Sequence, residues 1–256
     1  LNTLWLENMI KKIIILFKIA RKIGSSDIIK IIDKTHTVPF FIKFFFSLVS
    51  LSFNKNQNKS VNRNDLSSSI QELGTTFIKL GQFLATRPDI IGEDLTKNLE
   101  KLQDKLPPFS KTLAENIIRK ELGELTSKNI IEFSEPIAAA SIAQVHKAKI
   151  NEANTIKDVA VKVLRPNIKE IFNSEIDAIM MLAYLVETFI PKTKRLKLIE
   201  VVFLFKEITN HEMDLRFEAA AANEYLENTK NDLGFNVPKI YWNFTSESVL
   251  TLDWVD

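Results

Sequence analysis

Lys162 stands in the middle of an apolar run, Val159-Ala160-Val161-Lys162-Val163, and its setting invites chemistry more than any other residue's. Period-two alternation puts Val159, Val161 and Val163 on one face of a strand and Ala160, Lys162 and Leu164 on the other. An ammonium among such neighbours is costly to bury unless an anion meets it. Phosphate is such an anion, and lysine suits it as a compact cation on a flexible stem. Upstream, Pro136–His146 (PIAAASIAQVH) holds a small-residue turn, Ala138-Ala139-Ala140-Ser141, leading into a Gln-Val-His strand. Alanines there give the backbone less freedom than the glycines of a phosphate loop.

Glu212 is the carboxylate most in need of a cation. On one helix running from about Leu198 to Glu227, it falls inside the stripe of Phe205, Ile208, Leu215, Ala219 and Leu226. Left unpaired there it would cost several kcal/mol, so Lys162 or Lys79 is the expected partner. Asp214 falls on another face of that helix. Lys79 and Gln82 are one turn apart, opposite the stripe of Ile70, Phe77 and Leu84, and pattern alone makes their face ordinary polar surface. Gly74 and Gly81 leave room for a close approach. His36, His146 and His211 are isolated, lack metal-ligand spacing and are expected to be structural, so no metal site is expected.

The elements that carry these residues follow from the pattern. Helices are expected over 66–86, ended by Arg87-Pro88-Asp89, over 93–105, and over 111–122 between Ser110 and Gly123. Strands follow at 130–134, 142–150 and 157–164, then helices at 168–190 and 198–227, then strands at 237–242 and 249–254.

The chain has no cysteine, which excludes disulfides, zinc-thiolate sites and thiol catalysis and fits a reducing compartment. Its net charge of +2 hides an excess of ten Lys/Arg over three acids in residues 1–60. Two apolar stretches there, 10–23 and 38–53, carry interspersed lysines, and the second also carries Pro39. Neither reaches the roughly 20 apolar residues a spanning helix needs. Neither forms a secretory leader. The head (1–53) is therefore expected either to meet an anionic lipid surface through interfacial helices or to pack on the rest of the protein; lipid is favoured over nucleic acid. A polar linker (54–65) separates it from the remainder.

The V-A-V-K-V strand, the alanine-rich turn before Gln144-Val145-His146, Lys79-Leu80-Gly81-Gln82 and Glu212-Met213-Asp214 together resemble the UbiB family of atypical protein-kinase-like proteins, which is linked to ubiquinone biosynthesis. The resemblance covers about residues 66–256. It implies an α+β fold: a protein-kinase-like small lobe (126–256) with a five-stranded antiparallel sheet and an αC-like helix. A helical extension (66–125) carries the Lys-x-Gly-Gln helix. It also implies ATP as ligand, with Lys162 on the phosphates, Ala160 against the adenine ring, and Ala138, Ala139, Ala140 and Ser141 as the nucleotide loop. Glu212 would orient Lys162, Glu212 and Asp214 as a Glu-x-Asp motif would engage the Lys-x-Gly-Gln helix, and Lys79 and Gln82 would gate the pocket. Arg87, Asp89 and Leu102-Gln103-Asp104-Lys105 also match the family and are taken as structural.

No catalytic-loop Asp and Asn and no D-F-G Asp occur in the sequence, so the large lobe is expected to be absent and the Mg²⁺ ligands to lie elsewhere in the complete protein. The expected function is the amino-terminal part of a UbiB-like atypical kinase or ATPase. It would be peripheral on the cytoplasmic side of the inner membrane, with ubiquinone-biosynthesis proteins or lipid intermediates as partners. The other expectation is a non-catalytic lipid- or protein-binding module.

Overall fold

The computed structural model describes residues 66–102, 106–232 and 234–255, together with Ile10, 14–18, Ala20 and Arg21, which are helical. Most of the head, the linker and Gln103-Asp104-Lys105 lie outside the described residues. The chain divides into two compact units: Leu1–Gln103 with Glu170–Lys206, and Asp104–Lys169 with Glu207–Asp256.

After the amino-terminal helical residues, the first unit has α1 (Leu66–Leu73), α2 (Thr75–Ala85), α3 (Pro88–Ile91) and α4 (Glu93–Leu99). The single helix expected over 66–86 is broken at Gly74, whose φ of 112° is open to glycine and strained for other residues. At Gly81 a Cβ would collide with Leu102 Cδ1, so the absent side chain lets α2 pack closely on Leu102.

The second unit opens with α5 (Lys111–Leu122) and α6 (Glu124–Ser127), then β1 (Ile130–Ile131), β2 (Pro136–Ala139), β3 (Ala143–Glu152) and β4 (Thr155–Leu164). After α7 (Ile168–Phe189), a 3-10 turn (Pro191–Leu196), α8 (Leu198–Glu212) and α9 (Leu215–Thr229), β5 (Val249–Asp253) completes a five-stranded antiparallel sheet. β1 and β2 share one edge of β3, β4 takes the other, and β5 follows β4. The β3–β4 hairpin turns on Ala153 and Asn154, with φ of 50° and 63°, the pair of positive values a two-residue hairpin requires.

Val159, Val161 and Val163 are fully buried and join Ala114 and Ile118 of α5, Ile150, Tyr241 and Phe244 in one core. Each buried valine stabilises the sheet by about 1.5 kcal/mol or more. This is the α+β architecture expected, a kinase-like small lobe.

Several expected elements differ besides the helix at Gly74: the helix over 93–105 ends at Leu99, the strand at 130–134 shortens to Ile130–Ile131, and Pro136–Ala139 is a strand where a turn was expected. The strand at 237–242 reduces to a bridge between Ile240 and Leu252, flanked by Tyr241 N–H to Thr251 C=O and Asp253 N–H to Lys239 C=O, each 2.9 Å. Pro238 has no N–H to extend that pairing. The long helix over 198–227 is two helices, because Asp214 leaves helical geometry at φ −118°, ψ 98° and caps α9.

Candidate functional site

The site is built on the face of the sheet opposite the valine core. Antiparallel register sets Lys162 between Val145 of β3 and Leu250 of β5, and Ala160 between Lys147 and Leu252. Ala138 of β2 lies opposite Val145. Strand pleating therefore brings Ala160 and Lys162 onto one surface, as the period-two pattern requires.

Lys162 meets a carboxylate there: its Nζ donates to Glu218 Oε1 at 2.9 Å and to Oε2 at 2.7 Å. The lysine side chain is 27% exposed and the glutamate 49%. A pair this open to solvent adds little stability, about 1 kcal/mol at most. It fixes direction instead, holding the ammonium over the sheet from the first turn of α9. In protein kinases a strand lysine paired with a glutamate of the αC helix is what aims the cation at the nucleotide.

The carboxylate that meets Lys162 is Glu218 and not Glu212. Glu212 is the last residue of α8 and is exposed. The stripe that enclosed Glu212 assumed an unbroken helix, and the break at Met213-Asp214 removes its second half. Asp214 accepts from the Arg216 backbone N–H at 3.1 Å and from its guanidinium Nε and Nη2 at 2.9 and 2.6 Å. The Arg216 hydrogen bond holds the Asp214 carboxyl below the usual range, partly offset by its desolvation. Leu215 N–H donates to Glu247 C=O at 3.0 Å, tying the start of α9 to the turn before β5.

The alanine-rich segment is part strand and part loop. Ala138 and Ala139 belong to β2, and the turn is Ala140-Ser141-Ile142. It is pinned: the Arg165 guanidinium donates to Ala140 C=O at 3.1 and 2.8 Å, and Ala140 N–H donates to Ala143 C=O at 2.8 Å. Ser141 is buried.

Gln144 and His146 sit on the buried side. Gln144 accepts from Phe109 N–H at 2.9 Å and donates to Phe109 C=O at 3.1 Å. His146 Nδ1 is 2.9 Å from Ser134 C=O, an acceptor, so Nδ1 carries the proton and Nε2 accepts from Gln144. Burial pushes the His146 pKa down.

At one end of the open face Lys147 Nζ lies 4.4 Å from the Trp254 ring centroid. Lys79 and Gln82 lie on α2, in the first unit, both half-buried. Arg87 and Asp89 form a bidentate pair at 2.9 and 2.7 Å. Among the described residues no group of three or more His, Asp or Glu could hold a metal.

The ABC1 atypical kinase-like domain matches residues 101–256, more than half of the chain. The chain belongs to the ABC1 atypical kinase-like family. Curated relatives of this chain in that family carry the name probable protein kinase UbiB. The one from Marinobacter nauticus is 36% identical over 218 residues, covering 84% of this chain and 39% of that protein. The one from Pseudomonas aeruginosa is 37% identical over 186 residues, covering 72% of this chain and 34% of that protein. The chain thus spans less than two fifths of the length of these relatives.

Within the ABC1 family frame the residue missed from sequence is Glu218. Its signal was present: Asp214 is a good N-cap, and an acid in the first turn after it marks a helix start. Starting a helix there puts Glu218, not Glu212, on the helix that follows the break.

Proposed function

We propose that the second unit is the phosphate-gripping small lobe of a UbiB-like atypical kinase or ATPase that supports ubiquinone biosynthesis at a membrane, with ATP as its nucleotide. The observation that carries this is the Lys162–Glu218 pair on the open face of the sheet. An ammonium has three donors. Two are taken by the Glu218 oxygens, which leaves a third direction for a phosphate oxygen.

The donor set fits a nucleotide in part. Lys162 supplies the cation, the small Ala160 leaves flat space beside it for a ring, and the turn at Ala140–Ile142 is held firm by Arg165. Bound ATP would supply the phosphoryl group. Lys162 would hold its phosphates, Glu218 would orient Lys162, and Leu252 beside Ala160 would keep water from that end of the face. For Mg²⁺ the described residues do not fit, since they hold no carboxylate cluster to ligate it, and no step is derived through it.

Lys79 and Gln82 are proposed to gate the pocket, with Asp214 and Glu212 shaping the region beside it. Anionic phospholipid and ubiquinone-biosynthesis proteins or lipid intermediates are the proposed partners, at the cytoplasmic face of the inner membrane. Among the described residues no helix is long and apolar enough to cross a membrane.

The test is equilibrium binding of MgATP and MgADP to the purified chain. Saturable binding that weakens at least tenfold in Lys162→Met supports the reading. No binding, or equal affinity in the variant, overturns it.

A further inference from the structure

One corner of the first unit gathers positive charge that nucleotide binding does not use. α7 ends at Phe189 and the 3-10 turn Pro191–Leu196 leads into α8. Residues 191–197 (PKTKRLK) hold four cations and no acid. Lys192, Lys194, Arg195 and Lys197 are all exposed.

The corner is a built turn. Thr193 N–H and hydroxyl both donate to Ile190 C=O, at 2.9 and 2.7 Å. Lys197 adopts the left-handed conformation at φ 50°, and its N–H donates to Lys194 C=O at 3.2 Å. The cations therefore ride on a fixed backbone rather than a frayed loop.

Beside the turn lies a cavity of about 290 Å³ whose lining includes Arg87, Asp89, Arg195, Lys197, Glu200 and Leu204. Asp89 holds Arg87, and Glu200 holds Lys197 at 3.1 and 3.0 Å. Arg195 has no ion-pair partner among the described residues. The apolar flank is also open: Phe189 is 73% exposed and Leu204 43%. Clustered cations next to open aromatic and aliphatic groups match an anionic lipid interface. The charges meet headgroup phosphates while the apolar side chains enter the acyl boundary. An acidic polypeptide would use the charges and leave Phe189 in water.

We propose that the α7–α8 corner docks on an anionic phospholipid surface, with the cavity of Arg87, Arg195 and Lys197 taking a headgroup phosphate. This rests on the membrane part of the proposed function and locates it on the corner rather than on the amino-terminal head.

The experiment is co-sedimentation of the full 256-residue chain with vesicles of phosphatidylcholine alone and of phosphatidylcholine with phosphatidylglycerol. Two variants are compared, Lys192→Gln/Lys194→Gln/Arg195→Gln and Phe189→Ser, each checked by thermal melting for an unchanged fold. Each cation near an anionic surface is worth about fivefold in affinity, so the triple variant should bind the charged vesicles about a hundredfold more weakly and with a shallower salt dependence. Phe189→Ser should weaken binding while leaving the salt dependence as it was. Wild-type chain that sediments with neither vesicle overturns the whole membrane reading. Variants that sediment with the charged vesicles as well as wild type does overturn the corner alone. Protection of the chain against melting by inorganic phosphate, lost in Arg195→Gln and without vesicle binding, assigns the cavity to a free phosphate and overturns lipid docking. Binding to polyglutamate in place of vesicles overturns it in favour of an acidic protein partner.

Discussion

Glu218, in the first turn of α9, reaches both carboxylate oxygens to Lys162 Nζ across 56 positions of sequence, at 2.9 and 2.7 Å. The contact joins the helix to the centre of the sheet at its open face. Its partners are half-exposed, so its contribution is to geometry far more than to stability.

The direction of α9 depends on where it begins, which Asp214 sets. Asp214→Ala removes the cap accepting from Arg216 N–H and should cost about 1 kcal/mol of stability. Because the folded carboxyl lies below its ordinary range, its contribution is present above about pH 4, the unfolded value, and is lost as pH falls through the lower folded value. Chemical denaturation of wild type and variant should therefore differ at pH 7 and converge under strongly acidic conditions.

His146 acts with the opposite charge. Burial keeps it neutral in the fold, with its pKa below 6.5. Protonation then favours the unfolded chain, so stability is full above about pH 6.5 and declines as pH falls below it. His146→Gln should be less stable at pH 8 and should lose the component of the pH slope between the unfolded and folded values. Parallel slopes in wild type and variant would show that His146 is not its source.

Ala153 holds φ 50° in the β3–β4 hairpin. Left-handed backbone is strained for alanine and relaxed for glycine, while glycine costs entropy in the unfolded chain. The strain is the larger effect, so Ala153→Gly should raise stability by about 0.5–1 kcal/mol, read from the denaturation midpoint. A fall in stability would mean the hairpin turn is not strained there.

How much of this was legible in the sequence depends on whether the signal was periodic. The strand around Lys162 was, since Val159, Val161 and Val163 alternate and all three are fully buried. The β3–β4 hairpin and the helices after it followed from the same pattern, whereas Pro136–Ala139, read as a turn, is a strand. The breaks were not periodic. Helical spacing continues smoothly across Gly74 and across Met213-Asp214, and only backbone dihedrals show the chain leaving the helix. Angles counted on α8 do not carry across the second break, and Glu218, on α9, is the carboxylate that meets Lys162. Val237–Trp242 has strand composition, yet Pro238 and its edge position leave only the Ile240 bridge. The placement of Lys79 and Gln82 on one helix was legible from their spacing, and their gating role rests on the proposed function.

The central claim is that Glu218 aims Lys162 at a phosphate. A double-mutant cycle on MgATP affinity tests it most directly, using Lys162→Met, Glu218→Gln and the pair, with Glu212→Gln alongside. The account predicts that Glu218→Gln weakens binding about tenfold and more than Glu212→Gln does. It also predicts that the pair binds no more weakly than Lys162→Met alone, because the glutamate acts through the lysine. Additive losses, or a Glu218→Gln chain that binds MgATP as wild type does, would contradict it.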